Sequence, residues 1–275
     1  MSTTASEQAV GSSGRADRVD EFTFDDVTKE FLDPDGEPFV AVHGISLDIE
    51  QGSFVTIIGP SGCGKSTLLN MAAGLMVPTA GTVSHRGTPI TAVNSTVGYL
   101  TQQNNLLPWR TAEANVALAL EVQGIPKAER AVRVQRILDL VNLTNVRARY
   151  PAQLSGGMQK RVALARTLVY EPDSLLMDEP FGPLDAQLRL VMQRELLALW
   201  ERDRRTIMFV THDLEEAILL ADRVVVFGSA PGTIIHVEKI DLPRPRDIVA
   251  LRADQAFTTI WERLWRMLEP QLKAS

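Results

Sequence analysis

The chain has 275 residues, 45% of them hydrophobic and 23% charged, with a net charge of −6 at pH 7. That balance fits a soluble globular fold of one large or two small domains with a sizeable core. The acidic charge argues against a broad electrostatic grip on nucleic acid, the single cysteine, Cys63, excludes an intrachain disulfide, and no run approaches the roughly 18 apolar residues of a membrane span.

Residues 1–20 are rich in Ser, Thr, Ala and Gly with mixed charge and no apolar core. They read as a disordered tail, not a signal peptide. "EFTFDDV" and "VAVHGISLDIE" alternate apolar and polar residues and predict half-exposed antiparallel strands, a pattern that "GTVSHRG" and "STVGYL" continue. "SFVTIIG" (Ser53–Gly59) is a short β-branched apolar run that predicts a buried strand, and "KSTLLNMAAGLM" after it has helical periodicity. From Thr111 to about Leu143 the sequence turns helical, with Pro126 opening the second helix. A further helix opens at Ser155. "DSLLMDEP", "TIMFVTHD" and "RVVVFG" predict more buried strands. Strands alternating with helices argue an α/β fold around a parallel sheet with both faces covered. "LPRPRD" from Leu242 reads as a stiff linker. Phe257, Ile260, Trp261, Leu264, Trp265 and Leu268 then share one helical face, which predicts a helix packed on the parent domain.

The chemistry concentrates in a few stretches. "GPSGCGKST" is Gly59, Pro60, Ser61, Gly62, Cys63, Gly64, Lys65, Ser66 and Thr67, a full match to the phosphate-loop pattern G-x-x-x-x-G-K-[ST] between a strand and a helix. Glycines let backbone N–H groups curl round phosphates, Lys65 is placed to reach the β- and γ-phosphates, and the Ser66 hydroxyl suits Mg2+. Cys63 reads as a small loop residue, not a nucleophile. Asp178 ends an apolar strand, where a carboxylate is costly unless it serves a charge, and so suits the metal ion. Glu179, one step further, can orient or deprotonate an attacking water. His212 follows another buried strand at the end where ligands gather, and can donate to a γ-phosphate oxygen. Gln102, with Gln103 as its rival, is placed to contact the metal's water or the γ-phosphate. The loop alone leaves ATPase, GTPase and kinase open, although the guanine-reading N-K-x-D run is absent. "SGGMQ" at the mouth of the helix after Ser155 presents a second set of free backbone N–H groups that suits an anion.

Gly59–Thr67, Gln102, "LSGGMQ", "LLMDEP", "GPLD" and "THD" together resemble the ATP-binding cassette family, from about Glu21 to Lys239. The resemblance implies a P-loop NTPase (RecA-like) core with an antiparallel β subdomain and an inserted helical subdomain at about 103–165, within an ATPase domain at 21–240 that is followed by a linker and amphipathic helix at 241–275. It implies an ATPase using ATP and Mg2+, the metal being held through Ser66, Gln102 and Asp178. It also implies a head-to-tail dimer in which Ser155, Gly156, Gly157 and Gln159 of one copy close on the nucleotide held by the other, with Asp185 of "GPLD" at the same interface. In the family an aromatic ahead of the phosphate loop stacks on adenine. "VTKEF" places Phe31 there, with Phe24 and Phe39 as rivals. A finer match, in "LLPWRT", "MDEPFGPLDA" and "THDLEEAILLADRVVVF", resembles the nitrate/sulfonate/taurine importer subfamily. That likeness implies a peripheral subunit on the cytoplasmic face of the membrane. Its partners would be a permease met through Leu106, Leu107, Pro108 and Trp109, a second ATPase subunit and, indirectly, an extracytoplasmic substrate-binding protein, with no nucleic acid. The alternatives are a non-transport cassette ATPase, in translation or DNA repair, and a cassette ATPase of another substrate class.

Overall fold

The computed structural model describes residues 20–33 and 35–274; residues 1–19 of the expected disordered tail lie outside them. The chain opens with two long antiparallel strands, β1 (Asp20–Leu32) and β2 (Pro38–Glu50), followed by β3 (Phe54–Ile58), α1 (Lys65–Ala72), β4 (Ala80–His85), β5 (Thr88–Pro89) and β6 (Val97–Leu100). Three helices come next, α2 (Ala112–Val122), α3 (Lys127–Leu140) and α4 (Gly156–Leu168). Then β7 (Ser174–Asp178), α5 (Ala186–Asp203), β8 (Thr206–Val210), α6 (Leu214–Leu220) and β9 (Arg223–Phe227) alternate, and β10 (Ile234–Lys239), α7 (Ile248–Leu251) and α8 (Gln255–Ala274) complete the chain.

The strands form two sheets. A four-stranded antiparallel sheet has the order β2-β1-β4-β5, and a six-stranded sheet has the order β10-β9-β3-β8-β7-β6. The larger sheet is parallel except for β10. Its central strands are buried on both faces, and their side chains divide by the two-residue period of a strand. Phe54 and Ile58 of β3, Ile207 and Phe209 of β8, and Val224 and Val226 of β9 face a core shared with α4, α5, α6 and α8. Val55, Ile57, Met208, Val210, Val225 and Phe227 face the opposite core, which holds α1 and the antiparallel sheet.

The strand read in "STVGYL" does not join the antiparallel sheet. β6 is the edge of the parallel sheet and pairs with β7. Gly98 lies so close to Pro172 and Leu175 that a Cβ would sit 2.6 and 2.9 Å from their side chains, and close packing there replaces the alternation expected of a half-exposed strand. The expected stiff linker is also corrected. Trp200 is fully buried, with the Arg204 guanidinium 4.4 Å from its ring and that of Arg244 at 4.1 Å. Arg244 also donates to Asp222 at 2.8 Å, and Arg246 donates to the carbonyls of Leu219 (3.0 Å) and Ala221 (2.7 Å) at the end of α6. "LPRPRD" is therefore a strap that satisfies a helix C-terminus. Beyond it, Phe257, Ile260, Leu264 and Leu268 are buried against α6 and β9, as the helical face predicts, while Trp265 stacks on Trp261 at 5.5 Å and stays partly exposed.

Glu21 pins the two sheets together. It is fully buried on β1, accepts from the Ser174 hydroxyl at the start of β7, and meets His85 Nε2 at 3.0 Å and Arg86 at 3.0 Å. Burial raises its pKa, but the hydrogen bonds of His85, Arg86 and Ser174 and the charge of Arg86 outweigh that and bring it down from 4.5 to about 2. Each tenfold change in proton affinity is worth about 1.4 kcal/mol, so the ionised form stabilises the fold by about 3 kcal/mol at neutral pH. A depressed carboxylate contributes fully above its unfolded value and loses that contribution as pH falls towards its folded one. Glu21→Gln is therefore expected to lose about 3 kcal/mol in urea unfolding at pH 7. The gap to the parent protein closes as pH falls from 4.5 towards about 2; a gap independent of pH would refute the assignment.

Candidate functional site

All five residues of β3 are buried, and the chain leaves its carboxyl end through Gly59 into the loop ahead of α1. Gly64 has φ +91, and a Cβ there would fall 2.3 Å from Val42 Cγ1 and 2.8 Å from the Ala41 carbonyl oxygen. The loop is thus pressed onto β2, and only glycine fits. Gly62, at φ +78, faces open space, and with Ser61 it forms the exposed crest. Lys65 folds back across the loop, its Nζ donating to the carbonyls of Gly59 (2.9 Å) and Pro60 (2.6 Å). Cys63 is buried, and burial pushes its thiol pKa up, which suits a packing residue. Ser66 and Thr67 occupy the first turn of α1, half-buried.

Ser66 faces the next element, its hydroxyl close enough to the Asp178 carboxylate to favour its charged form; Asp178 ends β7 at 4% exposure. Burial raises the Asp178 pKa, Ser66 lowers it, and the neighbouring Glu179 charge raises it. Among the described residues no Lys, Arg or His forms an ion pair with Asp178. Glu179 turns out of the strand at φ +46, a left-handed conformation uncommon for a non-glycine residue, with its N–H on the Val210 carbonyl at 3.0 Å. Its carboxylate is where the other predicted side chains meet. Gln102 Nε2 donates to Oε2 at 3.5 Å, and His212 Nδ1 lies 3.5 Å from Oε1. Gln103 offers its carbonyl to the Thr101 hydroxyl at 2.6 Å, so Gln102 is the residue in place.

Buried polar residues that sequence reasoning missed hold these loops. Thr211 accepts from Asp213 N at 3.0 Å and donates to Glu216, which also accepts from Gln193 at 2.9 Å. Burial raises the Glu216 pKa, opposed by those two donors. Asn115, fully buried, accepts from Leu107 N at 2.8 Å and donates to Leu107 O at 3.1 Å. Lys160 donates to the carbonyls of Thr101 and Gln102. The only local cue for Glu216 or Lys160 is a charged residue on the inward face of an otherwise apolar helix.

At α4, Ser155 is the N-cap, its hydroxyl accepting from Met158 N at 3.3 Å. A Cβ on Gly156 would meet nothing within 4 Å, and one on Gly157 would lie 3.6 Å from Leu184 and from the Pro183 carbonyl. This helix mouth is bare backbone open to solvent, and among the described residues no hydrogen bond joins it to the loop at 59–67. Asp185 caps α5 through Leu188 N at 2.9 Å and is exposed. Gln159 departs from expectation: its amide donates inward to Pro151 O (2.9 Å) and Leu154 O (3.3 Å), so it braces the preceding turn and does not face the open surface. Phe31 stacks on Phe39 at 5.6 Å across the β1–β2 pair, whereas Phe24 is core. In the expected apolar patch, Trp109 is 71% exposed and Pro108 is exposed, but Leu106 packs against the core and Leu107 is half-buried. The patch is narrower than the sequence implies because Asn115 draws the segment inward.

The ABC transporter family profile matches residues 42–182, a span holding the glycine loop, Gln102, Ser155–Gly157 and the Asp178–Glu179 pair. The chain belongs to the ABC transporter family. Its cassette is 43% identical over 240 residues to the nitrate import ATP-binding protein NrtD of Synechococcus elongatus, covering 86% of this chain and 87% of that protein. It is 44% identical over 229 residues to the taurine import ATP-binding protein TauB of Mesorhizobium japonicum, covering 82% and 89%. Among solved structures, the dimeric ABC transporter cassette MJ0796 matches with a TM-score of 0.75 at 33% identity, covering 81% of this chain and all of that one. A post-hydrolysis dimer of the same cassette, bound to ADP and Pi, matches with a TM-score of 0.74. The ABC cassette described here is thus a nucleotide-binding ATPase with the P-loop fold expected from its sequence. No helix among the described residues is long and apolar enough to cross a membrane.

The glycines make a paired test. Gly64→Ala combines a left-handed φ with a 2.3 Å collision and is expected to cost more than about 2 kcal/mol and abolish nucleotide-induced thermal stabilisation. Gly62→Ala carries only the backbone strain, about 1 kcal/mol, and is expected to retain that stabilisation. Equal losses in thermal unfolding with and without ATP would contradict this account of the loop.

Proposed function

We propose that this cassette drives an importer for a small organic or inorganic anion, of the nitrate/sulfonate/taurine kind, from the cytoplasmic face of the membrane. The observation that carries the hydrolytic part is the meeting of Gln102 and His212 on Glu179, one residue beyond the Ser66–Asp178 pair. The names of NrtD and TauB support the import of an anion.

In this reading the loop at 59–67 wraps the phosphates of ATP, and Lys65 exchanges its two loop carbonyls for the β- and γ-phosphates. Phe31 offers its exposed flank to adenine by stacking. Ser66 and Asp178 suit Mg2+, with Gln102 beside them. A neutral hydroxyl and a buried carboxylate without an ion-pair partner are hard oxygen donors, as that ion prefers. No group of three or more His, Cys, Asp or Glu among the described residues could hold a metal alone, which fits a site completed by phosphates and water. The bound ion would neutralise charge developing on the phosphate oxygens. Glu179 accepts the proton of the attacking water, Gln102 orients that water, and His212 donates to the γ-phosphate.

The open helix mouth at Ser155–Gly157 supports a head-to-tail homodimer. Among the described residues no hydrogen bond ties its backbone donors to the loop at 59–67 of the same chain, and a second copy would bring a phosphate to them. Asp185 sits near it, through Leu184 against Gly157. Exposed Pro108 and Trp109 are the proposed contact with the permease, and a substrate-binding protein would act on the far side of that permease. The anion itself would never touch this chain.

Glu179→Gln is expected to bind ATP and dimerise while kcat falls at least about 100-fold, the scale of a lost general base; normal turnover would remove Glu179 from its role. Ser155→Arg is expected to bind ATP at its own loop yet stay monomeric in light scattering, since the new side chain fills the helix mouth. Dimerisation with ATP in that variant would refute the second anion site. Tagged Glu179→Gln protein, isolated from native membranes with ATP, is expected to bring down a permease with several membrane spans. Ribosomes or DNA in its place would move the chain to the non-transport class.

A further inference from the structure

The segment from Thr101 to Asn105 carries Gln102 to Glu179 but has no regular secondary structure of its own. Side chains of α4 hold it by its backbone. Lys160 Nζ donates to Thr101 O (3.0 Å) and Gln102 O (2.9 Å), and Arg166 donates to Asn104 O (3.0 Å) and Asn105 O (2.8 Å). Gln159 accepts from the Asn104 side chain at 3.4 Å.

Lys160 is the informative member. It is only 1% exposed, and a buried ammonium is costly unless fully bonded. Among the described residues no carboxylate pairs with it; its partners are the two carbonyls that flank the Gln102 peptide. Burial lowers its pKa, while Asp178 and Glu179 act on it from longer range and raise it. A Leu or Met would fill the same space without the desolvation cost. What the ammonium adds is a fixed length between helix and loop. Its position is also specific, about one turn from the Ser155 cap of the same helix.

We propose that Lys160 is a positioning residue for ATP hydrolysis: its ammonium fixes the Gln102 peptide so that the amide meets Glu179, and it ties that amide to the helix whose mouth is Ser155–Gly157. This rests on the role given above to Gln102. The ammonium is spent on the loop's backbone carbonyls and takes no part in the chemistry, so its loss is expected to change kcat and not ATP affinity.

A double-mutant cycle with steady-state ATPase and separate ATP-binding measurements tests this. Lys160→Met is expected to lower kcat at least about tenfold, with ATP affinity within about threefold of the parent. Lys160→Gln keeps a donor in the cavity and is expected to turn over at least about threefold faster than Lys160→Met. Adding Lys160→Met to Gln102→Ala is expected to lower kcat no further, within about twofold, because both changes remove one function. If the methionine variant does not fold, the cycle is read with Lys160→Gln. An unchanged kcat in Lys160→Met, a glutamine variant no better than methionine, or losses that multiply with Gln102→Ala would each overturn the inference and leave the role of Gln102 standing. Full turnover in Gln102→Ala alone would overturn both.

Discussion

Asp178 ends β7 with a carboxylate almost wholly out of water, facing the neutral hydroxyl of Ser66. A charge so placed is unfavourable by itself, and its neighbour Glu179 makes it more so. In the proposed site a cation and the phosphates of the nucleotide would offset that cost. The rest of the site follows from that requirement. The parallel sheet carries β3, β7 and β8 side by side in the order β3-β8-β7, so the glycine loop, the two acids and His212 leave the same edge. Five buried residues in each of these strands hold that edge rigid.

The same logic explains why one chain carries two anion-binding features that do not meet. In the proposed reading the glycine loop would surround a phosphate chain from one side; in the structure Lys65 is held by the loop's own carbonyls. The mouth of α4 has the complementary property: free backbone donors, a serine cap and a glycine with open space above it. A helix N-terminus attracts an exposed anion by only about 0.3–1 kcal/mol, too little to recruit free phosphate. Set against a nucleotide already held by another copy, it adds at small cost to a surface that is otherwise weak. In the proposed dimer such an interface would form with ATP and lose its bridging contact once the γ-phosphate leaves.

Much of this was legible in the sequence because it is local. The glycine loop, the strand before it and the acids after "SLLM" each announce themselves within ten residues, and the placement of Gln102 and His212 followed from their standing just past strands. What stayed hidden depends on distant partners. Glu21 reads as one more polar residue near a strand start, and its meaning lies in Ser174, 153 positions away. Arg246 reads as linker until its donors are seen on carbonyls of α6. β6 was misassigned because a four-residue strand with a glycine offers too short a pattern to tell a close-packed edge from a half-exposed one. Gln159 was misread because spacing gives its place in the helix but not its rotamer.

Lys160 and Glu216 are opposite in charge but alike in their placement. Each is buried and points from a helix to the backbone or side chain of a loop at the sheet edge, Lys160 to the loop of Gln102 and Glu216 through Thr211 to the loop of His212. Gln193 ties Glu216 back to α5. Apolar residues could pack these interfaces at lower desolvation cost but could not set a distance, because dispersion contacts tolerate sliding while a group with two hydrogen-bond partners does not. In the proposed mechanism hydrolysis needs that restriction, since Glu179 stands between two side chains carried by separate loops and a shift of about 1 Å in either would misplace the water. Lys160 belongs to α4, which begins at Ser155, and Gln193, which holds Glu216 of α6, belongs to α5, which begins at Asp185; both of those N-termini lie on the surface proposed to meet the second copy. In the proposed dimer, the loop of Gln102 is therefore tied directly, and the loop of His212 through Glu216 and Gln193, to the two helices whose N-termini would meet a partner.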